Sequence, residues 1–316
     1  MALSVSQLAS VTHRLILPKL VDNVFASNPL LFRFREKGIK YGGGRVFTQP
    51  LVYAKTDAVG SFEGAEILST TINDNVTAAE FNYRQYYAHI GITGRDELLN
   101  SGKEGIHNLL EAKRQVAEWT LSDTMGTDLQ GSNSTGKKID GLGSILSTSS
   151  TYAGIAVADM ADWAAKQRTL GVAGTLTLLE MQKAMGVATV GADKPTVIVT
   201  RQSVYDKIWS LVQPDQRFVD KKMADAGFQN IVFNGVPILV DSHVPGSDGG
   251  SADNYVEFLN EKYLWLGTHS GADWKVVPIP VQKDQDVKMV RILWAGNLLC
   301  SNRRMQGFIS TVNPSL

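Results

Sequence analysis

The apolar positions of this chain change period several times, and each change marks a new part. Up to residue 40 they come in short helical patches, Val21, Val24 and Phe25 and then Leu30, Leu31 and Phe34, interrupted by Pro18 and Pro29. Such patches predict short helices on an arm rather than a closed core. Three glycines at 42–44 follow. RVFTQPLVYAKTDAV then reads as a strand rich in Val, Phe and Tyr, and VTAAEFNYRQYYAHIGIT as a second long extended stretch. Between them lies GSFEGAEILSTTINDN, polar and glycine-bearing. Together they predict a long hairpin whose middle cannot offset its own ordering entropy. That middle has to lie on something else.

Ser101-Gly102-Lys103-Glu104 has the S-x-x-E form of a capping box and predicts a helix start. Ile106, Leu109, Leu110, Val116, Ala117 and Leu121 keep helical spacing to Met125, and a helix of that length spans roughly 30 Å. GSNSTGKKIDGLGSIL then turns the chain. Helical patches are expected around MADWAAKQ and TLLEMQKAMG, followed by a buried strand at Val197, Ile198 and Val199. RQSVYDKIWSLV predicts a helix with Val204, Ile208 and Leu211 on one stripe. IVFNGVPILVDSHVPG predicts a strand broken at Gly235-Val236-Pro237. After the loop GSDGGSADN come short strands at YVEFLN and YLWLG, then extended segments at WKVVPIPVQ, DVKMVRILW and NRRMQGFIST. No repeat of 20–50 residues is present. The order is arm, hairpin, long helix, α/β centre and strands, an α+β chain.

Composition narrows the function. Hydrophobic residues make up 43% and charged residues 20%, a core-forming balance. Lys plus Arg and Asp plus Glu each number 31, so the chain lacks the basic excess of a protein built to grip nucleic acid. A net charge of zero favours self-association. Cys300 is the only cysteine, which excludes an intrachain disulfide and a cysteine zinc site. MALSVSQLASVTHRLILPKL has no basic n-region and is broken by Pro18, and no apolar run of membrane-spanning length occurs. The expectation is a soluble protein made in a reducing cytoplasm.

Several constellations invite chemistry. In GSNSTGKK, residues 131–138, Gly131, Gly136 and Lys137 have phosphate-loop spacing, but Lys138 stands where the magnesium-binding Ser or Thr belongs. Such a loop needs a strand before it and a helix after it; here a helix precedes, so a turn is the better reading. Asp241, Ser242 and His243 have the residue types of a hydrolase triad. In a strand, however, neighbours point to alternate faces, and no G-x-S-x-G elbow is present. His13, His89, His107, His243 and His269 show no paired metal spacing, and Asp248 and Asp253 lack the acidic pattern of a calcium loop. Trp119, Trp163, Trp209 and Trp294 are expected in the core, and the basic pairs Arg303-Arg304 and Lys221-Lys222 on solvated faces. No catalytic, cofactor-binding or metal site is predicted, and the chain is not expected to be an enzyme.

Three stretches carry a family resemblance: SNPLLFRFREKGIKYGGGRVFTQPLVYA; IHNLLEAKRQVAEWTLSDTMGTDL with GKKIDGLGSIL; and PTVIVTRQSVYDKIWSL with GFQNIVFNGVPILVDSHVPG and NYVEFLN. In this order they resemble the major capsid proteins of tailed bacteriophages, the lambdoid-type coat fold. The resemblance implies an N-terminal arm at 1–45 and an extended β-hairpin loop at 46–93 that reaches over a neighbouring subunit. It implies a peripheral domain at 94–150 with a spine helix at 102–126, an α/β axial domain at 151–265, and peripheral return strands at 266–316. The implied function is self-assembly into hexamers and pentamers that form an icosahedral head around double-stranded DNA, put together in the bacterial cytoplasm and ending in the virion capsid.

The implied partners are further copies of the chain, a portal protein, packaged DNA met without sequence specificity and, as an open addition, a decoration protein; no membrane is involved. Some relatives carry a long scaffold-like extension, whereas this chain opens almost directly on the arm, so a separate scaffolding protein is expected. Another group staples its shell by a Lys–Asn crosslink; Lys55 lies in the hairpin leg, with no Asn partner identified. Two alternatives stay open: an α/β enzyme with an unrecognised site, such as a nucleotide hydrolase using Lys137, and a non-viral nanocompartment shell protein of the same fold.

Overall fold

The structure, a computed structural model, describes residues 28–72, 74–99, 105–133, 135–171, 174–212, 231–247, 253–279 and 286–315 of the 316-residue chain. Asn28 caps the first helix, α1 (Pro29–Glu36), by accepting from the Leu31 amide at 3.1 Å, and Pro29 supplies a fixed φ at the first helical position. Leu30, Leu31 and Phe34 turn inward, as their spacing predicts. After β1 (Ile39–Tyr41), strands β2 (Val46–Val52) and β3 (Val76–Asn82) pair antiparallel from Val46–Asn82 to Val52–Val76. Phe47, Ala79 and Phe81 are buried on one face of this ribbon. Its outer edges are occupied in part. Gln49 Nε2 donates to the Pro50 carbonyl at 3.2 Å, and the Glu80 amide donates to the Ala153 carbonyl at 3.0 Å.

β4 (Arg84–Thr93) continues from β3 after Tyr83 and leads through α2 (Gly94–Leu99) to α3 (Gly105–Gln130), a helix of 26 residues. The proposed capping box at 101–104 lies outside the described residues. Leu121, Met125 and Leu129, four apart, are buried and form the core face of α3, which runs one turn beyond the expected Met125. A turn leads to α4 (Leu142–Ile145). The helix expected at MADWAAKQ is instead a single 3₁₀ turn, Ala161–Trp163, followed by β5 (Lys166–Thr169). Trp163 is pulled into the core, where its indole N–H donates to the Tyr152 carbonyl at 3.1 Å, and that burial overrides local helix propensity.

The second half holds α5 (Leu178–Val187), capped by the Thr177 hydroxyl at 3.2 Å, then β6 (Val197–Thr200), α6 (Gln202–Val212), β7 (Val232–Phe233) and β8 (Val236–Val240). Asn234 and Gly235, with φ of 49° and 78°, make the two-residue turn between β7 and β8, and β8 runs on through Pro237, where a break was expected. β9 (Asn254–Leu259), β10 (Leu264–His269), β11 (Lys275–Ile279), β12 (Val287–Cys300) and β13 (Gly307–Val312) follow.

These strands build two main sheets. One has the order β1-β10-β12-β11, with β4 also on β12; the other has the order β5-β13-β9-β6-β8-β7. β13 thus joins the second sheet, between β5 and β9, instead of returning with β10 to β12. β6 explains its unbroken VIVT run. Val197 and Val199 pack in a core that reaches Leu30, Met125, Trp294 and Leu298, while Ile198 packs on the opposite face beneath α5 and α6 with Val204, Ile208 and Phe258. A strand buried on both faces has no polar alternation.

Two expectations about single residues change. Trp163 and Trp294 are core residues, but Trp209 is 37% exposed and Trp119 is only half-buried. Arg303 is not on a solvated face. It is fully buried, and its guanidinium donates to the carbonyls of Ser144, Ile145, Ser147 and Ser150 at 2.7–3.2 Å while lying over the Tyr152 ring. The cation gathers carbonyls from a turn that has no ladder of its own. Arg304, by contrast, pairs with Asp162 at 3.2 Å at the surface. Lys221 and Lys222 lie outside the described residues. Arg303→Met keeps the stem but leaves those carbonyls without a donor, and urea unfolding should show a loss of about 3 kcal/mol.

Candidate functional site

Beyond Val52 the chain leaves the β2–β3 ribbon and returns only at Val76, with no regular secondary structure among the described residues between them. The two legs stay together at the root. The Tyr53 amide donates to the Asn75 carbonyl at 3.1 Å, the Tyr53 hydroxyl to the Asp74 carbonyl at 2.6 Å, and Asn75 Nδ2 to the Thr56 hydroxyl at 2.6 Å. Past this clasp the apolar side chains have nothing among the described residues to lie against. Ile67 and Ile72 are 100% and 97% exposed, and Val59, Phe62 and Leu68 are each more than half exposed.

Burying such a side chain is worth about 1.5–3 kcal/mol, so five of them left in water amount to a drive toward a partner surface on the order of 10 kcal/mol. The excursion also carries Asp57, Glu63, Glu66 and Asp74 against the single base Lys55.

A second open surface lies between α3 and β4. Ala112, Val116, Ala117 and Leu121 from the helix and Tyr87 and Ile90 from the strand line a groove of about 540 Å³, with Lys113 and His89 also on its walls. Tyr87 projects there largely exposed.

The residues singled out for chemistry fall elsewhere. GSNSTGKK is the turn between α3 and α4; Lys137 is exposed, and Lys138 is tied to Asp128 at 2.8 Å. Gly141 closes the turn so tightly that a Cβ would come within 2.6 Å of the carbonyls of Asp128, Leu129 and Gly131. A helix precedes this turn and a four-residue helix follows, not the strand and long helix of a phosphate cradle. Asp241 and His243 lie just past the end of β8, on a turn, with their side chains together. Asp241 reaches His243 Nδ1 at 2.8 Å, and Asp123 of α3 reaches Nε2 at 3.0 Å. Both ring nitrogens therefore face carboxylates, and none is left to activate the exposed Ser242.

Among the described residues no His, Cys, Asp or Glu cluster could hold a metal ion. His13 and Asp248 lie outside them, and His107 sits on α3. Cys300 is buried, and burial pushes its thiol up to about 12, far from a reactive thiolate. No described helix is long and apolar enough to cross a membrane.

The joint between α3 and the six-stranded sheet is unusually acidic. Glu257 of β9 is 2% exposed beside Gln130 and Asp241, and burial pushes its carboxyl up to about 8. His243 is raised in turn, first by its hydrogen bond to Asp241 and further by Asp123. The sequence hid this cluster because Asp123 and Gln130 lie more than a hundred positions from Asp241, His243 and Glu257.

No family model matches the chain, and no curated protein matches it. Solved structures do. The cyanophage A-1(L) capsid asymmetric unit superposes with a TM-score of 0.68 at 15% identity, covering 96% of this chain and 98% of that one. The capsid of a native GTA particle gives 0.69 at 13% identity, over 98% and 100%. The holo-SrpI encapsulin complex from Synechococcus elongatus PCC 7942 gives 0.65 at 10% identity, over 100% and 98%. The chain therefore has the α+β coat fold of tailed-phage capsid proteins, shared across its whole length.

Glu257 and His243 bind protons in the folded chain that the unfolded chain releases. Their stabilisation is complete below the unfolded values of 4.5 and 6.5 and is lost as pH rises through about 8 for Glu257 and through the raised value of His243. The melting temperature should therefore fall between pH 5 and pH 8. Glu257→Gln, which mimics the protonated acid, should flatten most of that slope in thermal unfolding at pH 5, 6.5 and 8.

Proposed function

We propose that this chain is the major capsid protein of a tailed bacteriophage, a subunit that closes hexamers and pentamers into an icosahedral head around double-stranded DNA. The observation that carries the reading is the excursion at 53–75, whose apolar side chains find no burial among the described residues. In a shell each copy lays this segment on a neighbour, and many weak contacts repeated around a closed surface add up to a stable particle. The open groove between α3 and β4 is an apolar surface of the kind such a neighbour must offer. The fold shared with capsid structures at full coverage supports the same reading.

Within it, residues 1–45 are the arm, and the ribbon with its excursion is the extended loop inside 46–93. The five-stranded sheet with α3 is the peripheral domain, and the six-stranded sheet with α5 and α6 is the axial domain near the capsomer centre. The shell works with a separate scaffolding protein and a portal, and it meets DNA without sequence preference, in keeping with its zero net charge. Enzymatic activity is not part of the proposal. The nucleotide-hydrolase alternative loses its footing in the Lys138–Asp128 pair and the helix that precedes the turn.

The encapsulin match favours a second reading, a nanocompartment of the same fold that encloses protein cargo. The contents of purified particles separate the two: DNA of defined length in a head, a co-purifying protein in a compartment.

Replacing residues 57–74 by Gly-Gly joins Thr56 to Asn75, which already touch through their side chains. Far-UV circular dichroism and melting should stay close to those of the parent, while electron microscopy shows shells or capsomers for the parent and none for the variant. A parent chain that stays a monodisperse monomer, alone and with its scaffold, rejects the shell reading.

A further inference from the structure

The turn at 131–141 lacks phosphate chemistry, yet it is tied to the root of the excursion by a buried polar network. β4 pairs with β12 from Thr93–Val287 to Arg84–Gly296, and there the ladder stops. The next residue of β12, Asn297, is fully buried and puts its side chain where the ladder would have continued. Its Nδ2 donates to the Asn82 carbonyl at 2.9 Å and to Asp140 Oδ2 at 2.7 Å, and its Oδ1 accepts from the amides of Asp140 and Leu298, both at 2.9 Å. Every donor and acceptor of that amide is used.

Asp140 also accepts from Asn133 Nδ2 at 2.5 Å and from Arg84 Nη2 at 3.3 Å, and Arg84 Nη1 reaches the Gly136 carbonyl. Two residues on, the Tyr86 hydroxyl donates to Asp128 at 2.8 Å and accepts from the Ile139 amide at 3.0 Å. Asn82, Arg84 and Tyr86, alternate positions across the β3–β4 junction, are thus each bonded to the turn, its flank or the asparagine that holds it. Next to Asn82, the ring of Tyr83 packs on Phe47 of β2 at 4.2 Å.

We infer that the 131–141 turn is a brace that sets the direction in which the excursion leaves the body, with Asn297, Asp140 and Arg84 as its positioning residues. The junction at 82–84 is the pivot of a lever. Seven ribbon residues at ~3.3 Å each reach about 23 Å beyond it, so a 10° change at the root moves the far end by roughly 4 Å. Apolar packing alone tolerates such rotation, because it has no preferred direction. The fully paired Asn297 amide at the centre of this network does not, because each bond lost there leaves a dry polar atom unpaired. This inference rests on the shell reading only for its purpose, since a segment that must land on a neighbour needs a fixed heading; the brace itself belongs to the single chain.

The test uses the full-length chain with Val76→Cys at the far end of the ribbon and Leu179→Cys on α5, both exposed sites. Cys300 is buried and takes no label. Distances between spin labels at the two sites are measured by pulsed electron resonance after dilution with unlabelled chain. Asn297→Ala and Arg84→Met should each widen the distance distribution at least twofold while far-UV circular dichroism is retained, and Arg84→Lys, with one contact restored, should narrow it part of the way. A network that only stabilises the fold would lower the melting temperature and leave the width alone. Distributions that superimpose on the parent's overturn the brace, and if Asn297→Ala fails to fold, Arg84→Met at the half-buried rim decides alone. The distances are read whether or not shells form, so an unchanged width counts against the brace, and absent shells from the parent count against the function.

Discussion

A strand offers two hydrogen-bonding edges, and β12 commits both of them. β4, far away in the sequence, runs along one edge from Val287 to Gly296, while β11 and then β10 take the other, so three segments are locked by one strand of 14 residues. Gly296 sits where both edges are filled, and a Cβ there would come 2.3 Å from the Gly267 carbonyl, so the close approach depends on glycine. The rest follows from this arrangement. α3 packs on β4, the joint to the six-stranded sheet forms at the end of α3, and the ribbon departs where the β4–β12 ladder runs out.

That departure gives the molecule its character. The body encloses a core continuous from α1 to Phe308, whereas the excursion leaves apolar side chains in water at the end of a stiff ribbon. A chain selected only to be a soluble monomer would not keep that combination, because exposed apolar groups on a projecting loop promote association. Structures of a phage capsid and of an encapsulin share this architecture, and fold alone does not assign function.

Much of this was legible in the sequence where the signal is local. The VIVT run, the stripe of Leu121 and Met125 and the two strands around a structureless middle all follow from period and turn chemistry. The excursion was read as polar because its five apolar residues follow no helical or strand period and are diluted by Gly, Ser and Thr. What stayed hidden is set by partners far away in the chain. Arg303 is buried because four carbonyls around residues 144–150 need a donor, and Trp163 leaves a helical pattern because the core behind Tyr152 accepts its ring. The pair Asp241 and His243 gains its third member only from Asp123, which arrives from α3. The asparagine at 297 is one polar residue inside an apolar run, and only the end of the neighbouring ladder explains it.

The ribbon's borders have a consequence for geometry on a larger scale. Bare strand edges let identical molecules zip together side by side without limit, and growth of that kind makes threads. Here proline at 50 supplies no N–H, glutamine at 49 occupies the neighbouring carbonyl, and the opposite border is covered at 80 by the carbonyl of 153. Lateral zipping is therefore hindered at these positions of the ribbon, while the most exposed apolar side chains, Ile67 and Ile72, lie beyond it. On the shell proposal, this steers copies of the chain away from filaments and toward finite, curved surfaces.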